Sequence, residues 1–578
     1  MTEAQETGAT DDQAATPPTG PGDMFEVVDE VVDGVTLRVF KNTPRSMRDV
    51  WAGSAAHGDA DYLVFEGRRL TYRQAHAAVA SLSRRLVGDL GVARGDRVAI
   101  AARNLPEWVI AFWATTSAGA VVVPLNAWWT GTELAFGLSD SGSTVLVADR
   151  ERLARMEGLL AGTPVRTVIA LSEGGNAAAG TAPADAIPIE DLVGDADATL
   201  PDVAIGPDDD CTIMYTSGTT GRPKGAVGTH RNATASVMNA LYVAFGMAAR
   251  AGGGAGAGEG PPRPPATLLT LPLFHVGGLH TVLFPYTAAG AKVALLRRWD
   301  AAAALDIIED EQVSVMGGVP TTLFELLDEA KRQGRTIESL GSVGSGATLV
   351  PPELARRIDD QLGSRAAPGN AYGLTETSGV AMLNTGADYL ARPESVGRPI
   401  SPVVEVRLAS PDGEPVPDGE VGEILLRGPI IVRGYHGRPD ATAEAIVDGW
   451  FRTGDAGRME DGFLYVVDRL KDVIIRGGEN VYAAEVEAAL YDHPAVAEAA
   501  IVGLPHPRLG EEVAAVIRLH PTGGGAAGAT AESLRAWLAE RLAAFKVPSV
   551  IEITTDPLPR NATGKVLKRT LRETLTPT

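Results

Sequence analysis

Short apolar runs rich in β-branched residues recur along the chain, separated by longer stretches with helical spacing. "RVAIAA" (97–102), "AVVVPL" (120–125), "STVLVA" (143–148), "TVIAL" (167–171) and "KVALL" (292–296) are the clearest runs. "YRQAHAAVASLSRRLVGDL" (72–90) is a representative helical stretch between such runs. Strands that are apolar on both faces must be covered on both sides, and alternation with helices supplies the cover. The pattern therefore predicts α/β layers built on partly parallel sheets. At 578 residues the chain exceeds what one hydrophobic core supports, so more than one domain is expected.

The texture changes after about residue 468. A compact stretch carries the strands "AAIVGL" (499–504), "VAAVIRL" (513–519) and "VIEIT" (550–554). A helix between the last two strands puts Leu534, Trp537, Leu538 and Leu542 on one face. This reads as a small α+β domain of roughly 110 residues. "DRLKD" (468–472) is the expected junction, because charged residues there can stay in water. "AARAGGGAGAGEGPPRPPA" (248–266) reads as an exposed insertion, and "PTGGGAAGAT" (521–530) as a shorter one. The first 24 residues are acidic, polar and rich in Pro and Gly. They lack the basic start and apolar run of a signal peptide and are expected to form a disordered tail. The longest charge-free run, between Glu107 and Glu133, contains Gly119, Pro124 and Asn126. It reads as a buried helix and then a strand, not as a membrane span.

The net charge of −22 excludes nucleic acid or an anionic membrane as the main partner. Any phosphate ligand must be held by a local arrangement. The single cysteine, Cys211, excludes an internal disulfide and a multi-cysteine metal site. It reads as a small buried thiol in a cytoplasmic protein.

One stretch stands out as a ligand loop: "YTSGTTGRPKG" (215–225). Glycines let backbone N–H groups converge on an anion, hydroxyls donate further bonds, and Lys224 adds a positive charge. It is not the P-loop pattern, because Gly225 follows Lys224 where that pattern needs Ser or Thr. "GSGATL" (344–349) lacks the last glycine of a dinucleotide fingerprint, and neither a GxSxG elbow nor an HExxH motif occurs.

Taken with "YGLTE" (372–376), "WFRTGD" (450–455), "DRLKDVIIRGGENVY" (468–482) and "PRNATGK" (559–565), the loop resembles the ANL superfamily of adenylate-forming enzymes. Five motifs appear in the family's order over roughly residues 45–574. The resemblance implies a large N-terminal domain of layered α/β sheets with a small β-barrel-like subdomain, over 25–468. It also implies a small mobile α+β lid over 469–578, with its hinge near Lys471. The family activates a carboxylic acid with ATP and Mg²⁺ to acyl-AMP.

Residue by residue, the resemblance implies that Thr216, Ser217, Gly218, Thr219, Thr220 and Lys224 cradle the β- and γ-phosphates. Tyr372 would stack on adenine, with Gly346 and Ala347 lining it. Thr375 would contact the α-phosphate, and Glu376 would hold Mg²⁺. Asp455 would accept both ribose hydroxyls, with Arg469 as a second contact. Lys565 would bridge the substrate carboxylate and the α-phosphate, where a cation eases the meeting of two anions. The acyl pocket would involve His275, Gly277, Thr281 and Gly318, and Gly478 would line a pantetheine tunnel. The glycines suit an extended or bulky acid, fatty or aromatic, better than acetate. Asp468 stands where the family frequently has glycine, and the sequence gives it no role.

"GGENVYAAEVE" and "LPRNATGKVLK" look like the acyl-CoA synthetase branch, with coenzyme A as acceptor. The sequence runs 13 residues past Lys565, so no carrier-protein domain is expected within it. A stand-alone adenylating enzyme that passes its acyl group to a carrier protein or another nucleophile shares the first half-reaction. A homodimer is also compatible. A non-catalytic nucleotide-binding protein is disfavoured by the joint presence of Lys224, Glu376, Asp455 and Lys565.

Overall fold

The computed structural model describes residues 16–171, 183, 185–216, 223–250, 265–346, 350–363, 366–477, 479–520, 529–560 and 565–575. The expectations for Ser217, Gly218, Thr219, Thr220, Ala347 and Gly478, and for most of the 248–266 insertion, fall outside the described residues. So do residues 1–15 of the expected tail. Residues 16–24 are instead held in place: Val27 N–H donates to Thr19 O at 3.1 Å, and Asn42 Nδ2 donates to Asp23 O at 3.1 Å.

Among the described residues, the apolar runs form two large sheets. The first has eight strands, and its centre is parallel: Val121–Pro124, Arg97–Ala101, Val145–Asp149 and Thr167–Leu171 lie side by side. The hairpin Asp210–Thr216 with Lys224–Thr229 extends this sheet on one side, and Gly434–Tyr435 pairs with Lys224–Thr229 beyond it. The second sheet has nine strands. Ser342–Gly346, Val315–Gly318, Ala266–Leu269 and Lys292–Leu295 are parallel, and its far edge is Asp61–Phe65 with Arg68–Thr71. Each sheet thus takes a strand pair or strand from a distant part of the chain.

Helices fill the space between and outside these sheets. Pro106–Ser117 is apolar on all sides and is buried at nearly every position, as a helix must be when it lies between layers. Pro at its first position suits the helix start, where no N–H partner is needed. Trp108, Phe112 and Trp113 from this helix join Trp51, Tyr62 and Phe284 in the main core, with Trp51 and Trp113 stacked at 5.1 Å. Tyr72–Gly88 starts at a capping box in which Thr71 and Gln74 satisfy each other's backbone N–H. Cys211 is buried in the main core, and burial pushes its thiol far above the usual range, so it does not serve as a thiolate.

A five-stranded antiparallel sheet, from Glu405–Ala409 to Phe463–Arg469, corresponds to the small barrel-like unit. The last part of the chain has its own five-stranded sheet, comprising Ile474–Arg476, Glu479–Val481, Val496–His506, Gly510–Leu519 and Val550–Thr554. Leu534 and Leu538 of the helix Ala531–Ala539 pack on it. The expectation that 468–472 stays in water needs correction: Asp468 is only 6% exposed, because it folds back onto the helix Ala483–Tyr491.

Candidate active site

A cleft of about 580 Å³ separates the nine-stranded sheet and the barrel-like unit from the C-terminal sheet. Tyr372, Asp455, Arg469 and Lys565 line it together. Strand pairing explains this meeting. Ala367–Leu374 carries Tyr372 to the end of the second sheet, while the antiparallel pair Trp450–Glu460 and Phe463–Arg469 sets Asp455 opposite Arg469. Asp455 is 5% exposed. Its Oδ2 accepts the Tyr372 hydroxyl at 2.7 Å, and its Oδ1 lies 3.4 Å from Arg469 Nε. A buried carboxylate needs such partners to remain charged. Burial first, then the Asp455 charge, hold the Tyr372 hydroxyl well above its usual range, so it stays a donor.

Lys565 belongs to the C-terminal unit yet faces the residues of the preceding one. Burial lowers its ammonium to about 8, Arg469 pushes the same way, and Asp455 and Asp472 oppose. An ammonium drawn into a cleft is suited to meet an anion there. Lys471 is also lowered, by burial and then by Arg469. The cleft lining carries both signs, with Arg469, Lys565 and Lys568 beside Asp455, Asp472 and Glu487.

A second cluster lies where the chain turns after Tyr372. Gly373 is obligatory here, because a Cβ would fall 1.9 Å from Gly379 O. Leu374 N–H donates to Thr377 Oγ1 at 2.8 Å, which tightens the single 3₁₀ turn Thr375–Thr377. This turn buries Glu376, which is 9% exposed and accepts the Tyr435 hydroxyl at 2.8 Å. The Tyr435 ring also receives Lys224, whose Nζ lies 5.0 Å from the ring centroid. Lys224 opens the strand Lys224–Thr229, and the Thr216 hydroxyl at the end of the facing strand donates to its carbonyl at 3.4 Å. Tyr435 thus joins the lysine of the hydroxyl-rich loop to the expected metal carboxylate. Sequence reasoning missed it, because an aromatic after a glycine in "RGYHG" carries no signal of its own.

Burial raises the Glu376 carboxyl, while Tyr435, Arg469 and Lys224 draw it down. Among the described residues no group of three or more acidic, His or Cys side chains could hold a metal ion alone. That donor set, one buried carboxylate beside a lysine, fits Mg²⁺, which is commonly held by one or two carboxylates with substrate phosphates and water. It does not fit zinc.

The expected acyl residues His275, Gly277, Thr281 and Gly318 do not line this cleft. "GGLHTVL" forms a π-helix, Gly277–Leu283, a form often seen at functional sites. Thr281 Oγ1 packs against Gly379, 3.3 Å from the position of a Cβ there, so this π-helix touches the segment just after the turn that bears Glu376. Gly277 N–H donates to His275 Nδ1 at 3.2 Å. Burial lowers His275 to about 4, so the ring is neutral and carries its proton on Nε2. The glycines do not all provide room. A Cβ on Gly278 would lie 2.2 Å from Pro272 O, so that glycine serves chain packing. On Gly344 a Cβ would meet nothing within 4 Å, and on Gly317 only Gly344 O at 3.8 Å. Gly317, Gly344 and Gly369 are in register on three adjacent strands, which gives the sheet a smooth floor. Gly346 cannot accept a side chain, since Ala371 O would be 2.7 Å from its Cβ. Gly318 makes ordinary contacts with Thr322 and Thr270.

Known proteins share sequence and fold with this chain. The family model described as AMP-binding enzyme matches residues 50–436, and that of the AMP-binding enzyme C-terminal domain matches 485–565. The chain is 39% identical over 507 residues to a feruloyl-CoA synthase of an Amycolatopsis species, covering 88% of this chain and 94% of that protein. It is 34% identical over 512 residues to a 2-succinylbenzoate–CoA ligase of Bacillus velezensis, covering 88% and 94%. Among solved structures, the anthranilate CoA ligase AuaEII with anthranoyl-AMP superposes with a TM-score of 0.79 at 25% identity, covering 92% and 97%. The o-succinylbenzoate CoA synthetase of Bacillus subtilis with its acyl-adenylate gives 0.75 at 29%, covering 90% and 97%.

Proposed function

The chain belongs to the AMP-binding enzyme family, and on that premise we propose that it joins a bulky, aromatic carboxylic acid to coenzyme A. It is an AMP-forming acid–thiol ligase. ATP activates the acid to acyl-AMP, pyrophosphate leaves, and transfer to coenzyme A gives acyl-CoA and AMP. ATP, Mg²⁺ and coenzyme A are its co-substrates and cofactor. No helix among the described residues is long and apolar enough to cross a membrane.

The observation that carries the residue assignments is the meeting of Lys565 with Asp455 and Arg469 in one cleft. In the proposed first step, a carboxylate oxygen attacks the α-phosphorus and the bond to pyrophosphate breaks. Lys565 lies between the two anions and lowers the cost of their approach. Asp455 and Arg469 fix the ribose, Tyr372 and Gly346 border the adenine, and Thr375 contacts the α-phosphate. Thr216, Lys224 and the loop between them hold the outer phosphates. Glu376 would hold Mg²⁺, which supplies neutralising charge on the phosphates. In the second step the coenzyme A thiolate attacks the acyl carbonyl and AMP leaves. His275 is not the base, because its Nδ1 already accepts from Gly277.

The domain assignment is 25–468 for the adenylating unit and 469–578 for a lid that turns near Lys471. Its thiol tunnel passes Gly478. A cytoplasmic location and a homodimer complete the reading, and a carrier protein is the competing acceptor.

The bare floor at Gly317 and Gly344 supports a flat, bulky acid, and so does the similarity to ligases of aryl acids. Turnover of acetate, octanoate and a cinnamate-type acid, with product analysis in the presence and absence of coenzyme A, tests both points. The cinnamate-type acid should be preferred and its thioester should form only with coenzyme A. A clear acetate preference would end the substrate proposal.

A further inference from the structure

One carboxylate ties three distant segments together at the base of the hairpin that carries Thr216 and Lys224. Asp140 lies near the end of the helix Gly131–Ser141, and its side chain is 11% exposed. Its Oδ2 accepts the Tyr215 hydroxyl at 2.9 Å, and its Oδ1 accepts from Arg438 Nη2 at 2.8 Å. The Tyr215 hydroxyl also lies 3.3 Å from Gly137 O of the same helix. Tyr215 precedes Thr216 and pairs across the hairpin with Gly225, which follows Lys224. A Cβ on Gly225 would lie 3.5 Å from the Tyr215 ring, so the ring covers that glycine. Arg438 closes the segment that borders the second strand of the hairpin. In that segment Tyr435 pairs with Ala226, and His436 N–H donates to Gly225 O at 2.8 Å. The same segment sets the Tyr435 ring against Lys224 and its hydroxyl on Glu376. Asp140 thus holds one strand directly through Tyr215, and the other through the short run from Arg438 back to Tyr435.

The strand Lys224–Thr229 has glycine at 225 and 228, and glycine weakens a strand because it has no side chain to pack. A ligand held by loosely ordered strand ends must order them, and that cost is subtracted from its affinity. An anchor at the strand base meets the cost before the ligand arrives. We propose that Asp140 is a positioning residue for the outer phosphates of ATP: by joining Tyr215 to Arg438 it fixes the strand ends from which Thr216 and Lys224 meet those phosphates. This rests on the phosphate role proposed for Thr216 and Lys224. The groups proposed for adenine and ribose, Tyr372, Asp455 and Arg469, belong to other strands. Loss of Asp140 should therefore be felt by the pyrophosphate half of the nucleotide and not by the AMP half.

The test sets ATP and pyrophosphate against AMP. Asp140→Ala should raise the KM for ATP and the KM for pyrophosphate in pyrophosphate–ATP exchange about tenfold each, the scale of one lost hydrogen bond to a charged group. The Ki of AMP as a competitor of ATP should stay within about twofold, because AMP lacks the outer phosphates. Thioester formation from synthetic acyl-adenylate and coenzyme A should stay within about threefold for the same reason. Tyr215→Phe keeps the ring over Gly225 and should raise the two KM values about fivefold. It also covers the case in which Asp140→Ala does not fold. An AMP Ki that rises as much as the ATP KM, or an ATP KM unchanged in both variants, would overturn the inference. Lys224→Ala run alongside separates the two levels. If it leaves both KM values unchanged, the phosphate reading fails and the inference falls with it. If it raises them while Asp140→Ala and Tyr215→Phe do not, only the positioning role fails.

Discussion

The ammonium of Lys565 should impose an alkaline limit on adenylation and none on thioester formation. Burial and Arg469 bring it to about 8, from an ordinary value near 10.5. At pH 7 about nine-tenths of the free enzyme then carries the charge, and at pH 9 about one-tenth. The sign is fixed by the chemistry: loss of the proton removes the cation between two anions, so kcat/KM for adenylation falls as pH rises. The expected drop between pH 7 and pH 9 is about tenfold. Thioester formation should move the other way, because an ordinary thiol with a pKa of about 8.5 gains thiolate over the same interval. Pyrophosphate–ATP exchange and thioester formation from supplied acyl-adenylate report the two limbs. Lys565→Ala should cost exchange about 10²–10³-fold, the scale of one lost electrostatic contact to the transition state. Lys565→Arg should retain part of the activity and move the alkaline limb beyond pH 9, because guanidinium keeps its proton. The reasoning is refuted if the limb near pH 8 persists unchanged in Lys565→Arg, or if Lys565→Ala exchanges within about threefold of the parent.

Asp455→Ala removes the partner of the Tyr372 hydroxyl and of Arg469, and should raise the KM for ATP about 10–100-fold in initial-rate measurements. Tyr435→Phe keeps the ring beneath Lys224 but removes the hydroxyl bond that draws the Glu376 carboxyl down. The Mg²⁺ concentration for half-maximal rate should therefore rise several-fold, and more at pH 6 than at pH 8, as a Mg²⁺ titration at the two pH values would show. Gly344→Leu starts from a site where a Cβ meets nothing within 4 Å, and it should abolish turnover of a cinnamate-type acid while a short acid is still adenylated, which a comparison of kcat/KM for the two would reveal.

The layered architecture was legible because alternation of apolar runs with helical stretches is a pattern of many residues, and many residues cannot all be exceptions. "RVAIAA" and "AVVVPL" became neighbouring parallel strands, and 72–90 became the helix Tyr72–Gly88. Motif order brought Tyr372, Asp455, Arg469 and Lys565 to attention, and the fold gathers them in one cleft. What the sequence hid was pairwise. Tyr435 acts through two neighbours at positions 224 and 376, and no local spacing encodes that meeting. Asp468 looked like a solvated hinge residue because charge alone suggests water; its burial follows from the N–H of Ala484, supplied by a later segment. The glycines near the acyl wall were legible as small but not as to purpose. Gly278 is small because a carbonyl passes close to it, while Gly344 is small with nothing opposite.

The exchange of strands between the two large sheets has a practical corollary. Asp61–Phe65 and Arg68–Thr71 come from early in the chain yet complete the nine-stranded sheet, and Gly434–Tyr435 comes from late in the chain yet borders the eight-stranded one. No single cut can therefore part the two large sheets and leave both finished. A fragment begun near residue 205 would leave Lys292–Leu295 as a raw apolar edge, open to any passing strand. Split reporters, truncation libraries and domain grafts built on this scaffold should expect inclusion bodies from such pieces unless the missing strands are co-expressed.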